Sequence, residues 1–466
     1  MLRLILPAAL AAALLAPAAA GAAERIGTGY GDVRNDTNND IQLVGGDVYL
    51  DASNRELPLR MTVVRVRIAD GKRTIVLDPV PAPGRAVFGK FAAAPGRIAF
   101  ALGDTADHVT DAPSLRFSSG PLTGPFTPVD GCEGVPLRND PDALDVTRDA
   151  MLYGVNGCER TGITVRSFDG APALHLADAG FSDAELAGRY VAYHVTGSAV
   201  RGPSVRVVDR TTGAELYAIA DDGRGPGIGG LDRMHLADDG TLVVVHESPL
   251  QDNLYCGRAI SWYSPAEPFA HPLPHTACGA DSAFEGGRIT FLKWLGGRKA
   301  DLVNTDLAGG EERVLAHFDE AQQELSLDAE GDRVAWHERD CRRDSLWIAR
   351  LGDAPKPSPV PGCTMRFPSH RLKVGADGRA RLRVACPNGC SDVRAMVFFT
   401  ADPAGPRAFT RGARAFRGKA TLTLDLPSDV ARRVRSGATV QGDAKVQWDP
   451  IHGGGSWAFR ATLVRG

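Results

Sequence analysis

The chain has 466 residues, 43 % of them hydrophobic, and a formal net charge of −3. That is about three usual domain lengths with enough apolar material for a core, which excludes a disordered chain and allows several domains or one large repeat fold. With 53 Gly and 31 Pro, the composition favours many short strands and tight turns.

Residues 1–23 read as an export signal. Arg3 is the charged start, Leu4 to Leu15 the apolar stretch, and Ala20-Gly21-Ala22 the small-residue cleavage site. The apolar stretch is short for a membrane span. No Cys follows it, and no other stretch is apolar enough to cross a bilayer. A secreted or envelope-associated protein without a transmembrane span is expected. Residues 24–40 are polar and form either a flexible lead-in or a strand that closes a ring. Asp36, Asn38, Asp40 and Asp47 follow the spacing of a calcium loop, but Ile41 stands where that loop needs Gly. A solvated segment is the better reading.

From residue 41 to 351 one phrase recurs seven times. It begins at a Gly or Asp corner followed by an apolar-aromatic run, as in Gly96-Arg97-Ile98-Ala99-Phe100 and Gly188-Arg189-Tyr190-Val191-Ala192-Tyr193. A polar loop follows, and then an alternating strand that ends in an Asp or Gly turn, as in Val64 to Gly71 and Val205 to Asp209. Starts lie about 40–53 residues apart, close to the blade length of a propeller. The first half suits a strand buried on both faces, and the second suits an outer strand with one wet face. One more strand before and one after, such as Ala184-Glu185-Leu186 and Glu215 to Ile219, make four per unit. A ring of such units leaves only short, protected edges. The fold class is therefore all-β: a seven-bladed β-propeller followed by a small β-sandwich.

The eight cysteines of an exported chain point to disulfides. Cys158, Cys256 and Cys341 fall in the loop between the two strands of the phrase, and Cys132, Cys278 and Cys363 fall just after a repeat's last strand. In a four-stranded blade these two loop types share a face. The expected pairs are Cys132–Cys158, Cys256–Cys278 and Cys341–Cys363, with Cys386–Cys390 closing a Pro-Asn-Gly turn. A zinc site lacks a second pair at metal spacing.

Residues 352–362 are a Pro-rich linker, and the composition changes beyond it. Residues 24–363 hold 34 Lys/Arg against 49 Asp/Glu, whereas 364–466 hold 18 against 7 and no Glu. This basic region, residues 363–466, carries strand-like runs such as Ala380 to Val384 and Ala420 to Leu424, and a short capped helix from Ser428 to Ser436 ended by Gly437. An immunoglobulin-like sandwich is expected. Its Arg-rich surface either docks on an anionic surface or is only an Arg-rich β domain.

The corner, the aromatic-apolar strand and the Val-x-Val-x-Asp strand resemble the TolB-like, or WD-repeat-like, propellers of exported bacterial proteins, although no repeat carries a Trp-Asp dipeptide. The tail, through Leu382 to Cys390 and Leu424 to Gly437, looks like the modules that end actinobacterial secreted proteins. The resemblance implies a protein-binding or envelope-associated scaffold and carries no common catalytic residues.

Chemistry leaves few marks. There is no G-x-S-x-G elbow and no phosphate loop between a strand and a helix. His246-Glu247 and His337-Glu338 recur at equivalent places, which reads as repetition before it reads as acid–base or metal chemistry. Trp262, Trp294, Trp336 and Trp347 suit inter-blade core better than a carbohydrate platform. Acidic residues are too many for the sequence to nominate a catalytic pair. The expected function is a non-enzymatic, monomeric scaffold that binds a protein or cell-envelope polymer through its loop face, without cofactor, metal or nucleic acid. The alternatives are a carbohydrate-active propeller enzyme and an envelope-anchored structural protein that uses its basic tail.

Overall fold

The computed structural model describes residues 21–28, 41–51, 61–79, 86–105, 114–132, 143–155, 162–176, 181–195, 204–220, 231–247, 256–296, 299–318, 325–339, 344–357, 369–399, 407–410, 414–447 and 456–466. Their secondary structure is strands and one helix. The described residues divide into two units, a propeller that takes most of those up to 357 and a second unit that holds those from 369 to 466.

Seven inner strands set the ring: Ile41–Val44, Ala86–Ala94, Ala143–Val146, Phe181–Ala187, Leu231–Leu236, the end of His271–Glu285, and Ser326–Glu330. Each neighbours the next, and the last returns to the first. From each inner strand the chain runs outward through antiparallel neighbours in sequence order. Blades five and six share the long strand His271–Glu285. Its first part pairs with Cys256–Tyr263 as the outer strand of blade five, and Ser282–Glu285 pair with Arg288–Phe291 as the inner strand of blade six.

The repeated phrase is the second and third strands of each blade. Ile98, Ala99, Phe100 and Ala101 in the second strand of blade two are all fully buried, because blades pack on both of its faces. In the third strand of blade one, Val63 and Val66 are buried while Arg67 is exposed. The Gly corner is a two-residue hairpin. Gly45 and Gly46 have φ of 63° and 110°, the left-handed pair that matches the twist of the flanking strands. The Asp turn satisfies its own backbone: Asp209 accepts the Thr211 hydroxyl at 2.6 Å and the Thr211 N–H at 2.8 Å, and these with Arg189 hold its carboxyl down at about 2.

The ring is closed by the N-terminal strand. Glu24–Thr28 lies beside Asp344–Arg350 as the outer strand of blade seven. Of residues 24–40, 24–28 form this strand, while 29–40, with the calcium-loop spacing, lie outside the described residues. The expected linker begins inside the propeller. Ala354 pairs with Ala22 and Lys356 with Ala316, and the Lys356 N–H donates to the Leu315 carbonyl at 2.8 Å.

The C-terminal unit is a small β-sandwich whose layers share a strand. The first half of Arg379–Phe398 pairs with Arg414–Asp425 and Arg371–Val374, and its second half pairs with Val440–Gln447 and Arg407–Thr410. Arg371–Val374 also runs parallel to Ser456–Arg465. Leu372, Leu382, Leu422, Val446 and Leu463 fill the space between the layers. The helix, α1 (Ser428–Arg435), turns Val430, Ala431 and Val434 inward. The expected Ser cap is not there: Pro427 holds the N-cap position, with no side-chain hydrogen bond. The other end is as the Gly predicts. Gly437 has φ 96°, and the Gly437 and Ala438 N–H groups reach the Val434 and Arg433 carbonyls.

Ile26, 8 % exposed, is the buried side chain of the closing strand. Ile26→Ala should destabilise the propeller by about 2 kcal/mol or more, read from a denaturant midpoint. An unchanged midpoint would mean that the strand does not clasp the ring.

Candidate functional site: the channel-side belt

Each inner strand is a sheet edge. Its channel-side N–H groups have no fifth strand to pair with, and a buried polar group left unmatched costs about 1–3 kcal/mol. Side chains of the preceding blade supply the acceptor. Asp145 Oδ2 accepts the Leu186 N–H at 2.7 Å, and Glu185 Oε2 accepts the Leu236 N–H at 2.7 Å. Asp281 Oδ2 reaches the Leu327 N–H at 3.4 Å. Asp328 Oδ2 and Glu330 Oε1 take the N–H groups of Leu43 and Gly45 at 2.7 Å each, which joins blade seven to blade one. Gln42 takes the Ala93 N–H. Between blades five and six the join is made by side chains, His235 Nε2 to Ser282 Oγ at 2.7 Å.

Burial makes these groups unusual acids. Asp145 is pushed up to about 8, first by burial and then by the nearby Glu185, against the pull of two backbone N–H groups. Burial raises Asp328 to about 7. Asp183 rises to about 6 by burial and by Glu185, with Arg233 and Lys90 opposing. Burial alone would lower His235, but Glu185 and Asp281 outweigh it and the net shift is upward. Arg233 meets Asp281 at 3.2 Å. Near neutral pH, Asp145 is therefore a neutral carboxylic acid, able to hold the next blade without an unpaired charge in the wall.

One part of the belt has the order of a nucleophilic triad. Glu185 Oε1 lies 3.4 Å from His235 Nδ1, and His235 Nε2 lies 2.7 Å from Ser282 Oγ. In principle a histidine so placed can take a serine proton while the carboxylate steadies the imidazolium. Here Ser282 is 4 % exposed, and the other Glu185 oxygen holds the Leu236 N–H. These are the features of a junction between blades.

His246 and His337 are buried at equivalent places, opposite Leu231 and Ser326 of their inner strands. They stand in blades five and seven and are not brought together. Glu338 is buried, and the side chain of Glu247 lies outside the described residues. Trp336 is fully buried and stacks on Trp347 at 6.2 Å, with Trp294 and Trp347 packed around the same cluster. Trp262 packs on the core of blades five and six and stacks on His271 at 4.1 Å. Of the cysteines, Cys278 and Cys386 are disulfide-bonded. Cys256 stands opposite Cys278 in the ladder. Cys132 ends the outer strand of blade two, and Cys390 pairs through its backbone with Phe416. Cys158, Cys341 and Cys363 lie outside the described residues.

The belt escaped the sequence reading. Its signal was a polar residue on the strand before each corner: Gln42, Asp145, Glu185, His235 and Asp328 each precede the phrase by a few residues.

No family model matches the chain, and no curated protein matches it. Among solved structures it is similar to the β-propeller domain of the trilobed protease from Pyrococcus furiosus, at 10 % identity and a TM-score of 0.45, over 68 % of this chain and 98 % of that one. It is similar to puromycin hydrolase at 16 % identity and a TM-score of 0.47, over 78 % of this chain and 62 % of the hydrolase, less than two thirds of that protein. It is also similar to the β-propeller domain of Cps50 (Swd1) from Myceliophteria thermophila, at 8 % identity and a TM-score of 0.39, over 69 % and 98 % of the two chains.

Asp145→Ala removes the acceptors of both the Leu186 and the Val146 N–H groups and should cost about 1–3 kcal/mol, whereas Asp145→Asn keeps one acceptor oxygen and should cost less than the alanine does. The pH dependence has a fixed sign. Asp145, Asp183 and Asp328 hold protons in the folded chain that the unfolded chain releases near its ordinary pKa of 3.8. Their contribution is complete below that value and is lost as pH rises towards about 8. Urea midpoints should fall across that window, and Asp145→Asn should flatten the fall. A midpoint that climbs with pH there would contradict the assignment.

Proposed function

We propose that this chain is an exported, non-enzymatic binding scaffold. It belongs with the TolB-like propellers in its working principle and ends in an immunoglobulin-like module. It meets a protein or a cell-envelope polymer as a monomer without a cofactor. The contact lies on the propeller face that carries the longer connections, opposite the Gly-corner turns. One observation carries this reading: the polar groups that ring the channel hold the backbone of the next blade, so the ring serves as a frame for the loops. No helix among the described residues is long and apolar enough to cross a membrane.

A hydrolase is the second reading, favoured by Glu185, His235 and Ser282 alone. A fluorophosphonate probe separates the two. For a scaffold, Ser282 stays unlabelled, and Ser282→Ala costs about 1 kcal/mol of stability by removing one inter-blade hydrogen bond. Labelling that disappears in Ser282→Ala would overturn the scaffold.

Export implies oxidised cysteines, and we propose the pairing Cys132–Cys158, Cys256–Cys278, Cys341–Cys363 and Cys386–Cys390. The disulfide state of Cys278 and its place opposite Cys256 support the second pair. Non-reducing peptide mapping should return these four bridges. A crossed bridge between two of the pairs would contradict the placing of the repeats.

A further inference from the structure

The C-terminal sheet carries its charge on one face. In the layer formed by Arg371–Val374, the first half of Arg379–Phe398 and Arg414–Asp425, side chains alternate between core and outside. Leu372, Val374, Ala380, Leu382, Val384, Leu422 and Leu424 turn inward. The opposite parity puts Arg371, Lys373, Arg379, Arg381, Arg383 and Lys419 on the outer face. All but the half-buried Arg379 are exposed. Neighbouring strands stand about 4.8 Å apart and same-face residues along a strand about 7 Å apart, so the cations form a shallow lattice with Thr421 and Thr423 among them.

Two features of this lattice point to a ligand. Lys373 stands directly opposite Arg381 in the antiparallel ladder, and like charges so placed weaken a sheet. Asp377 answers the charge of Arg381, but among the described residues no carboxylate pairs with Arg371, Lys373, Arg383 or Lys419, so these cations keep no internal counter-charge. The carboxylates that are present show what the face accepts: Asp425 meets Arg379 Nε at 2.9 Å, and Asp377 meets Arg381 at 2.9 Å. The other layer mixes its charges: its exposed Asp443 pairs with Arg460 at 3.0 Å.

We propose that this face binds an acidic polysaccharide, a linear chain of carboxylated sugars. Guanidinium forks take carboxylates in two-point contact, and the threonine hydroxyls suit sugar hydroxyls. A flat face rather than a groove fits an extended polymer that meets several cations at once. Among the described residues of this layer, the outward ones include no aromatic ring for stacking a nucleobase and only Ala385 as an apolar one, too little to enter a bilayer.

The test uses the full chain and polygalacturonate as the probe, with neutral dextran of matched length, polyphosphate and phosphatidylglycerol vesicles as controls. Polygalacturonate should bind, with an affinity that falls steeply with salt, and dextran should not. The combined variant Arg371→Gln, Lys373→Gln, Arg383→Gln, Lys419→Gln should bind about tenfold more weakly or worse, with a flatter salt dependence. A matched variant that removes four exposed propeller cations (Arg25→Gln, Arg116→Gln, Lys299→Gln, Arg350→Gln) should bind as the parent does. Thermal melts check folding, and the exposed single changes Lys373→Gln and Lys419→Gln replace the combined variant if it does not fold. Equal loss in both variants would reduce the effect to net charge and overturn the proposal. Tighter binding to polyphosphate or to vesicles than to polygalacturonate would overturn it as well, by naming a different occupant.

Discussion

The propeller depends on how its inner edges are satisfied. Seven strands turn an edge towards a channel, and among the described residues no fifth strand in any blade is available to pair with their N–H groups. Hydrogen bonding to water would leave the blades held only by side-chain packing. Instead Asp145, Glu185, Asp281, Asp328 and Gln42 each reach across to the neighbouring backbone, and His235 reaches to Ser282. The cost of this arrangement is a set of carboxyl groups in a confined wall, where burial raises Asp145 to about 8 and Asp328 to about 7 and so favours their neutral forms.

The same economy explains the ends of the propeller. A ring made from one chain has a seam, and here blade seven closes it with the strand Glu24–Thr28 on the outside and with Asp328 and Glu330 reaching to blade one on the inside. The seam is thus held at both radii. The segment after blade seven adds a further rung through Lys356, beside the outer strand of blade six.

The sequence shows the repeats because turns and buried strands have strict local needs. Gly46 must take a positive φ, and Ile98 to Ala101 must be apolar on both faces, so these features recur with the blades. The belt is harder to read, because any side chain with an acceptor of suitable reach can serve. Gln42, Asp145, Glu185 and Asp328 differ in type while doing one job, and only the three-dimensional ring aligns them. The helix start differs from the sequence expectation for a related reason: Ser signals a cap, but Pro427 already fixes the entry and leaves Ser428 inside the first turn. The charge of the C-terminal unit was legible as composition. That it gathers on one layer follows from strand alternation and register, which composition does not carry.

A buried carboxyl group of the belt, that of Asp145, joins two blades as a neutral acid. Infrared spectroscopy in D2O reads the protonated carboxyl stretch separately from the ionised one. At about pH 7, where ordinary carboxyls are ionised, the folded protein should retain a protonated carboxyl band. The Asp145→Asn variant should lose part of it, and unfolding in urea should abolish it. A folded protein whose carboxyl groups are all ionised at that pH would mean that Asp145 does not join the blades as a neutral acid.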